Sequence, residues 1–179
     1  SIFLFPLIAL FIWWSDNDIV GDIFKEEEML FTKLPKEYLK LRPVELQAEI
    51  GISQMECIEK INQERIENAQ ILINTLNGFD KIKIPKLSSY AKQIFVSFPI
   101  QAKNRKRLQR ELLGKGIDTS SGFIRACSRM DIFNEFRTHC PISEEIEQNI
   151  LHLPVYPSLS KRDLLHISES IIRILKKEK

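Results

Sequence analysis

The sequence is poor in the residues that most catalytic motifs require. Six glycines in 179 residues leave no G-x-G-x-x-G and no P-loop, which excludes the common Gly-rich phosphate cradles. The three histidines, His139, His152 and His166, stand apart and form no H-E-x-x-H. The three cysteines, Cys57, Cys127 and Cys140, are odd in number and make no C-x-x-C pair. They read as reduced thiols of a cytoplasmic protein and exclude a disulfide scaffold. His139-Cys140 lacks further ligands at metal spacing, so no metal site is expected. An excess of one charge is missing as well. The 26 Lys and Arg against 24 Asp and Glu leave a net +2, too even to imply a nucleic-acid partner. No Met precedes Ser1, and the expectation is a piece of a longer protein.

What is present is an ordinary globular composition, 44% hydrophobic and 28% charged, enough for one domain with a buried core. Residues 1–14 open it with an apolar segment, the uncharged run Ile2–Trp14, IFLFPLIALFIWW. Its length is below the roughly 20 residues of a spanning helix, and it has neither the basic flank nor the cleavage site of a signal peptide. The tryptophans beside Ser15-Asp16-Asn17-Asp18 suit a membrane interface. Three readings stay open: a segment buried in protein, an interfacial or re-entrant membrane segment, and the tail of a transmembrane helix. Residues 15–42 are polar and mixed and read as a connector.

From residue 43 to 179 the pattern becomes regular. Pro43 and Glu45 suit a helix start. Leu46, Ile50, Ile58, Ile61, Ala69, Leu72 and Leu76 recur at helical spacing, and Asn77-Gly78 ends the run. One long helix is predicted over 44–76, with Gly51 marking the close approach of another backbone and Arg65 snorkelling beside the stripe. Strands are predicted over 81–85 and 93–100, where polar and apolar residues alternate. A helix follows over 103–113, stopped by Gly114-Lys115-Gly116, and a short strand begins at Ile117. Residues 119–140 carry no clear period. A helix over 141–150 starts at a proline, residues 153–157 are extended by their prolines, and Ser160 with Asp163 opens a final helix over 161–176. The basic stretch Lys103, Arg105, Lys106, Arg107 and Arg110 reads as a solvated face, since Leu108, Leu112 and Leu113 point the other way and no aromatics interleave it. The fold class is α+β: a long helix plus a small antiparallel sheet covered by helices.

Several stretches, taken in order, resemble a known family. They are Gln47-Ala48, Ile50-Gly51, Gln54-Met55, Arg65 and Asn68-Ala69 in the long helix, and Leu112 to Thr119 as L-x-x-x-G-I-x-T. Cys140-Pro141-Ile142-Ser143-Glu144 and Leu151 to Ser160, LHLPVYPSLS, complete the set. Together they cover roughly residues 40–175 and resemble the part after the large domain of the DegT/DnrJ/StrS sugar aminotransferases. The resemblance implies the small C-terminal domain of a fold-type-I enzyme, usually a homodimer. In such an enzyme pyridoxal phosphate, bound to a large-domain lysine, passes an amino group from glutamate to a keto nucleotide-sugar. No lysine here matches the Schiff-base motif, so no catalytic residue is expected in this chain, nor activity from it alone.

The same resemblance offers weak site positions. Lys40 stands where the family has an Asn that reaches the cofactor phosphate across the dimer, and Arg42 matches the basic position beside it. Arg125 is a substrate candidate in a loop where the family often has a His. Some members carry an apolar insertion similar to Ile2–Trp14, which implies contact with the inner face of the membrane. An alternative of another class is a noncatalytic, membrane-associated dimerisation module.

Overall fold

The computed structural model describes residues 42, 44–121 and 125–177. The readings of Ile2–Trp14, the connector up to residue 41 and Pro43 lie outside these. Helix α1, Glu45–Leu76, begins after Val44, whose N–H donates to Gln47 Oε1 at 3.0 Å. It ends at Asn77, followed by Gly78 at φ 78°, a left-handed conformation that glycine adopts without a Cβ clash.

Three short strands form an antiparallel sheet in the order β1-β2-β3: β1 Ile82–Lys83, β2 Phe98–Ala102 and β3 Ile150–Leu153. The register pairs Ile82 with Ala102, and Phe98, Pro99 and Ile100 with Leu153, His152 and Leu151. Helix α2 is Arg105–Leu113, α3 is Pro141–Asn149 and α4 is Lys161–Lys176. Ser160 caps α4 as predicted: its Oγ accepts the Asp163 N–H at 3.2 Å and its N–H donates to Asp163 Oδ2 at 2.9 Å. The Ser160 hydroxyl, donating to Asp163 Oδ2 at 2.7 Å, and then the Ser160 N–H hold the Asp163 carboxyl below its ordinary pKa.

Helices α1 and α4 pack together, α2 lies against α4, and both α2 and α3 meet the sheet. Ala69, Leu72, Leu76, Phe98, Ile100, Leu108, Leu112, Leu151, Leu153, Leu164 and Ile171 form one buried cluster. Leu72, Phe98, Leu112, Leu151, Leu153 and Leu164 are fully excluded from solvent.

The predicted architecture holds, while several boundaries change. The strand expected over 93–100 pairs only from Phe98, because Arg65 takes the carbonyls of Phe95 and Val96 at 3.3 and 2.7 Å. Arg65 therefore holds a chain segment in place and does not merely snorkel. The strand expected from Ile117 is absent. The Ile117 N–H closes α2 by bonding Leu112 O, and only Ser120 bridges to His152. The third strand instead takes Ile150, expected as the end of a helix. Its residues are buried on both faces, so no alternation marked it. Residues 127–129 and 131–136 form 3-10 turns. Gly51 meets no atom within 4 Å of where a Cβ would stand, so the expected close approach is not made within the described residues.

Candidate functional site

Two of the positions that carried the resemblance turn out to be latches. Asn68 donates from Nδ2 to Tyr156 O at 3.0 Å, so α1 holds the Leu-Pro-Val-Tyr-Pro turn, and Arg65 holds residues 95 and 96. Each bonds backbone carbonyls of a segment distant in sequence.

The polar centre of the fold is His152. It lies in β3 and is buried, and its ring Nδ1 meets Ser97 Oγ at 2.8 Å. Its backbone exchanges two hydrogen bonds with Ser120, at 2.7 and 3.2 Å. Burial pushes the imidazole below its ordinary pKa, which favours the neutral ring. Thr119 is buried beside it, and Gln109 of α2 donates to Thr119 O at 2.9 Å. Ser97, Asp118, Thr119, Ser120, His152, Leu153 and Pro154 line a cavity of about 140 Å³. Pockets for small organic ligands run from roughly 300 to 1,000 Å³, so this one is too small for a nucleotide sugar. The Ser97–His152 pair joins the entry of β2 to β3. Sequence reading missed it because the partners are 55 positions apart and Ser97 lies in no motif, although His152 lies in the Leu151 to Ser160 stretch.

A second buried contact ties α2 to α3: Arg105 Nη1 donates to Glu147 O at 3.2 Å. Burial lowers the Arg105 pKa, and the Glu147 charge partly offsets this.

Of the residues singled out from the sequence, Arg42 and Arg125 lie among the described residues. Lys40 lies outside the described residues. Arg42 is exposed, three positions before the first residue of α1. Ala69 is the first fully buried residue of that helix, and the rise per residue places the start of α1 at Glu45, close to Arg42 in sequence, about 36 Å from it. Arg125 is exposed in the segment that follows Ser121. Within one chain Arg42 thus stands far from the packed core beside which Ser120 and Ser121 lie.

A pyridoxal phosphate site needs an amine for a Schiff base inside a pocket and groups that grip the ring. Every lysine among the described residues is exposed, and no Phe, Tyr or Trp lines the cavity. These residues do not fit the cofactor. No group of three His, Cys, Asp or Glu that could hold a metal occurs among the described residues. No described helix is long and apolar enough to cross a membrane.

A long helix, a three-stranded antiparallel sheet and a helical cover around a polar latch define an α+β domain. Residues 35–172 match the DegT/DnrJ/EryC1/StrS aminotransferase family, and the chain belongs to it. It is 26% identical over 132 residues to the UDP-N-acetyl-3-dehydro-alpha-D-glucosamine 3-aminotransferase of Acidithiobacillus ferrooxidans, a match covering 73% of this chain and 36% of that protein. Its fold is similar to that of S. venezuelae DesV in complex with a ketimine intermediate, with a TM-score of 0.72, 19% identity and coverage of 77% and 38%. It is also similar to Bacillus subtilis NtdA with bound cofactor PMP, with a TM-score of 0.65, 22% identity and coverage of 74% and 32%. The chain spans about a third of the length of the relatives it matches.

Proposed function

We propose that residues 43–179 serve as the small C-terminal domain of a nucleotide-sugar aminotransferase, and that the Schiff-base lysine and cofactor pocket are carried by other sequence. One observation carries this reading. The family match runs through nearly all of the described residues, yet every described lysine is exposed. In such an enzyme pyridoxal phosphate supplies the electron sink for amino transfer. The residues described here order the chain through the Arg65, Asn68 and His152 latches.

The exposed apolar residues of the first half of α1, Leu46, Ile50, Ile52, Met55 and Ile58, fit a helix that meets a large domain or a second subunit. They fit equally the alternative of a noncatalytic dimerisation module. The reading of the DNA frame upstream separates these: a lysine-bearing large domain in frame supports the enzyme, and a start codon beside Ser1 supports the module.

The direct test adds pyridoxal phosphate to the purified chain, follows the internal-aldimine absorbance, and maps pyridoxyl lysines after borohydride reduction. The expected result is weak labelling scattered over several surface lysines and no amino transfer. A single stoichiometric adduct with an aldimine band would overturn the proposal.

A further inference from the structure

Exposed large apolar side chains crowd the start of α1: Val44, Leu46, Ile50, Ile52, Met55 and Ile58. At about 100° per residue they spread over roughly two-thirds of the helix circumference. A helix that faces one surface needs an apolar stripe only about 100° wide. The large domain or second subunit proposed for α1 thus takes one side of this arc and leaves another side to be covered.

One side has a particular shape. Ala48 and Gly51 lie between Val44, Ile52 and Met55, at the three- and four-residue spacings that bring side chains onto one face. The two small residues make a shallow strip bordered by larger apolar ones. Gly51 is not in the left-handed region, and a Cβ added there would meet no atom within 4 Å. Neither the backbone nor the packing of the described residues therefore requires it. Glycine inside a helix is unfavourable, and what it supplies here is room for a bulky neighbour.

We infer that the run Ile2–Trp14 of the same chain docks on this strip. Its side chains include Phe3, Phe5, Phe11, Trp13 and Trp14, broad rings that a strip without bulk accepts. Residues 15–43 join the run to Val44. A flexible chain of that length spans about 30 Å, while Glu45 to Met55 measures about 15 Å along the helix. The run is long enough to line that distance whether coiled or extended. Tethering gives it an effective concentration on the order of millimolar, which a second copy at micromolar concentration does not match. Charge selects the same occupant. From Arg42 to Lys60 the described charges are Glu45, Glu49, Glu56 and Glu59 against Arg42 and Lys60, all exposed. Two such acidic helices would repel each other, and an anionic leaflet would repel either. The run brings no charge to the contact. The docking needs no large domain, so its failure leaves the aminotransferase reading standing.

The two tryptophans of the chain, Trp13 and Trp14, both lie in the run, so tryptophan fluorescence reads that segment alone. The test uses the whole 179-residue chain at micromolar concentration. Its emission is expected to lie to the blue of the urea-unfolded chain and to stay there on dilution. The combined variant Ala48→Glu and Met55→Glu is expected to move it close to the unfolded value. Leu46→Glu, on the opposite edge of the arc, leaves it blue. Circular dichroism confirms that each variant folds. Amide exchange from Ala48 to Met55 is expected to be at least about tenfold slower in the whole chain than in one beginning at Ser15. Unfolded-like emission from the native chain, or a blue emission unchanged in the folded double variant, would overturn the inference. Emission that reddens on dilution assigns the contact to a second copy, and emission that turns blue only with phosphatidylcholine vesicles assigns the run to a bilayer. Either result overturns it as well.

Discussion

Burial sets the behaviour of His152. Its folded-state pKa is lowered from an ordinary value of about 6.5. Above that pH the ring is neutral in both the folded and unfolded chain and adds no pH dependence. As pH falls through about 6.5, the unfolded chain takes up a proton that the folded chain resists, so stability is lost with falling pH. The urea midpoint of the native chain is expected to drop between about pH 7 and pH 5, and His152→Gln to remove that part of the slope. A slope unchanged in the variant would place the pH dependence on other groups. Arg65 and Asn68 act at the same scale. Each was legible as part of a family pattern, yet the sequence could not show that their partners are backbone carbonyls of residues 95, 96 and 156.

Helix α1 is the element in which sequence and environment diverge most. Its 32 residues follow a helical apolar period to the end, but only Ala69, Leu72 and Leu76 are fully buried. Leu46 remains 69% exposed and Met55 67%. A helix without tertiary contacts is marginal in water. Amide exchange of a chain beginning at Ser15 is therefore expected to be fast from Glu45 to about Ile58 and slow from Ala69 to Leu76. Uniform protection along α1 would show that the exposed half is covered in solution, by a second copy or by another part of the chain.

Capping shows the opposite case, where sequence suffices. Ser160 with Asp163 was readable as a helix start because the interaction spans three residues. Ser160→Ala is expected to cost about 1 kcal/mol, measured by chemical denaturation.

For the whole molecule, the core joins the last third of α1 to α4 and to the sheet. Leu72 sits at that junction and is fully buried, so Leu72→Ala is expected to destabilise by about 3 kcal/mol through lost burial and a residual cavity. A cost below about 1 kcal/mol would mean that the site collapses around the deletion.

By itself the sequence determined the helices, their caps, the α+β class and the family, because these rest on periodicity, short-range hydrogen bonds and ordered motifs. It also marked the region of β1 and β2 by their alternation. It did not determine β3, whose residues are buried on both faces and so carry no alternating pattern. Nor did it reveal the Ser97–His152 pair, since strand register brings these residues together. The tertiary structure alone decided which residues of the long apolar stripe are buried, because burial depends on what packs against a helix and not on its period.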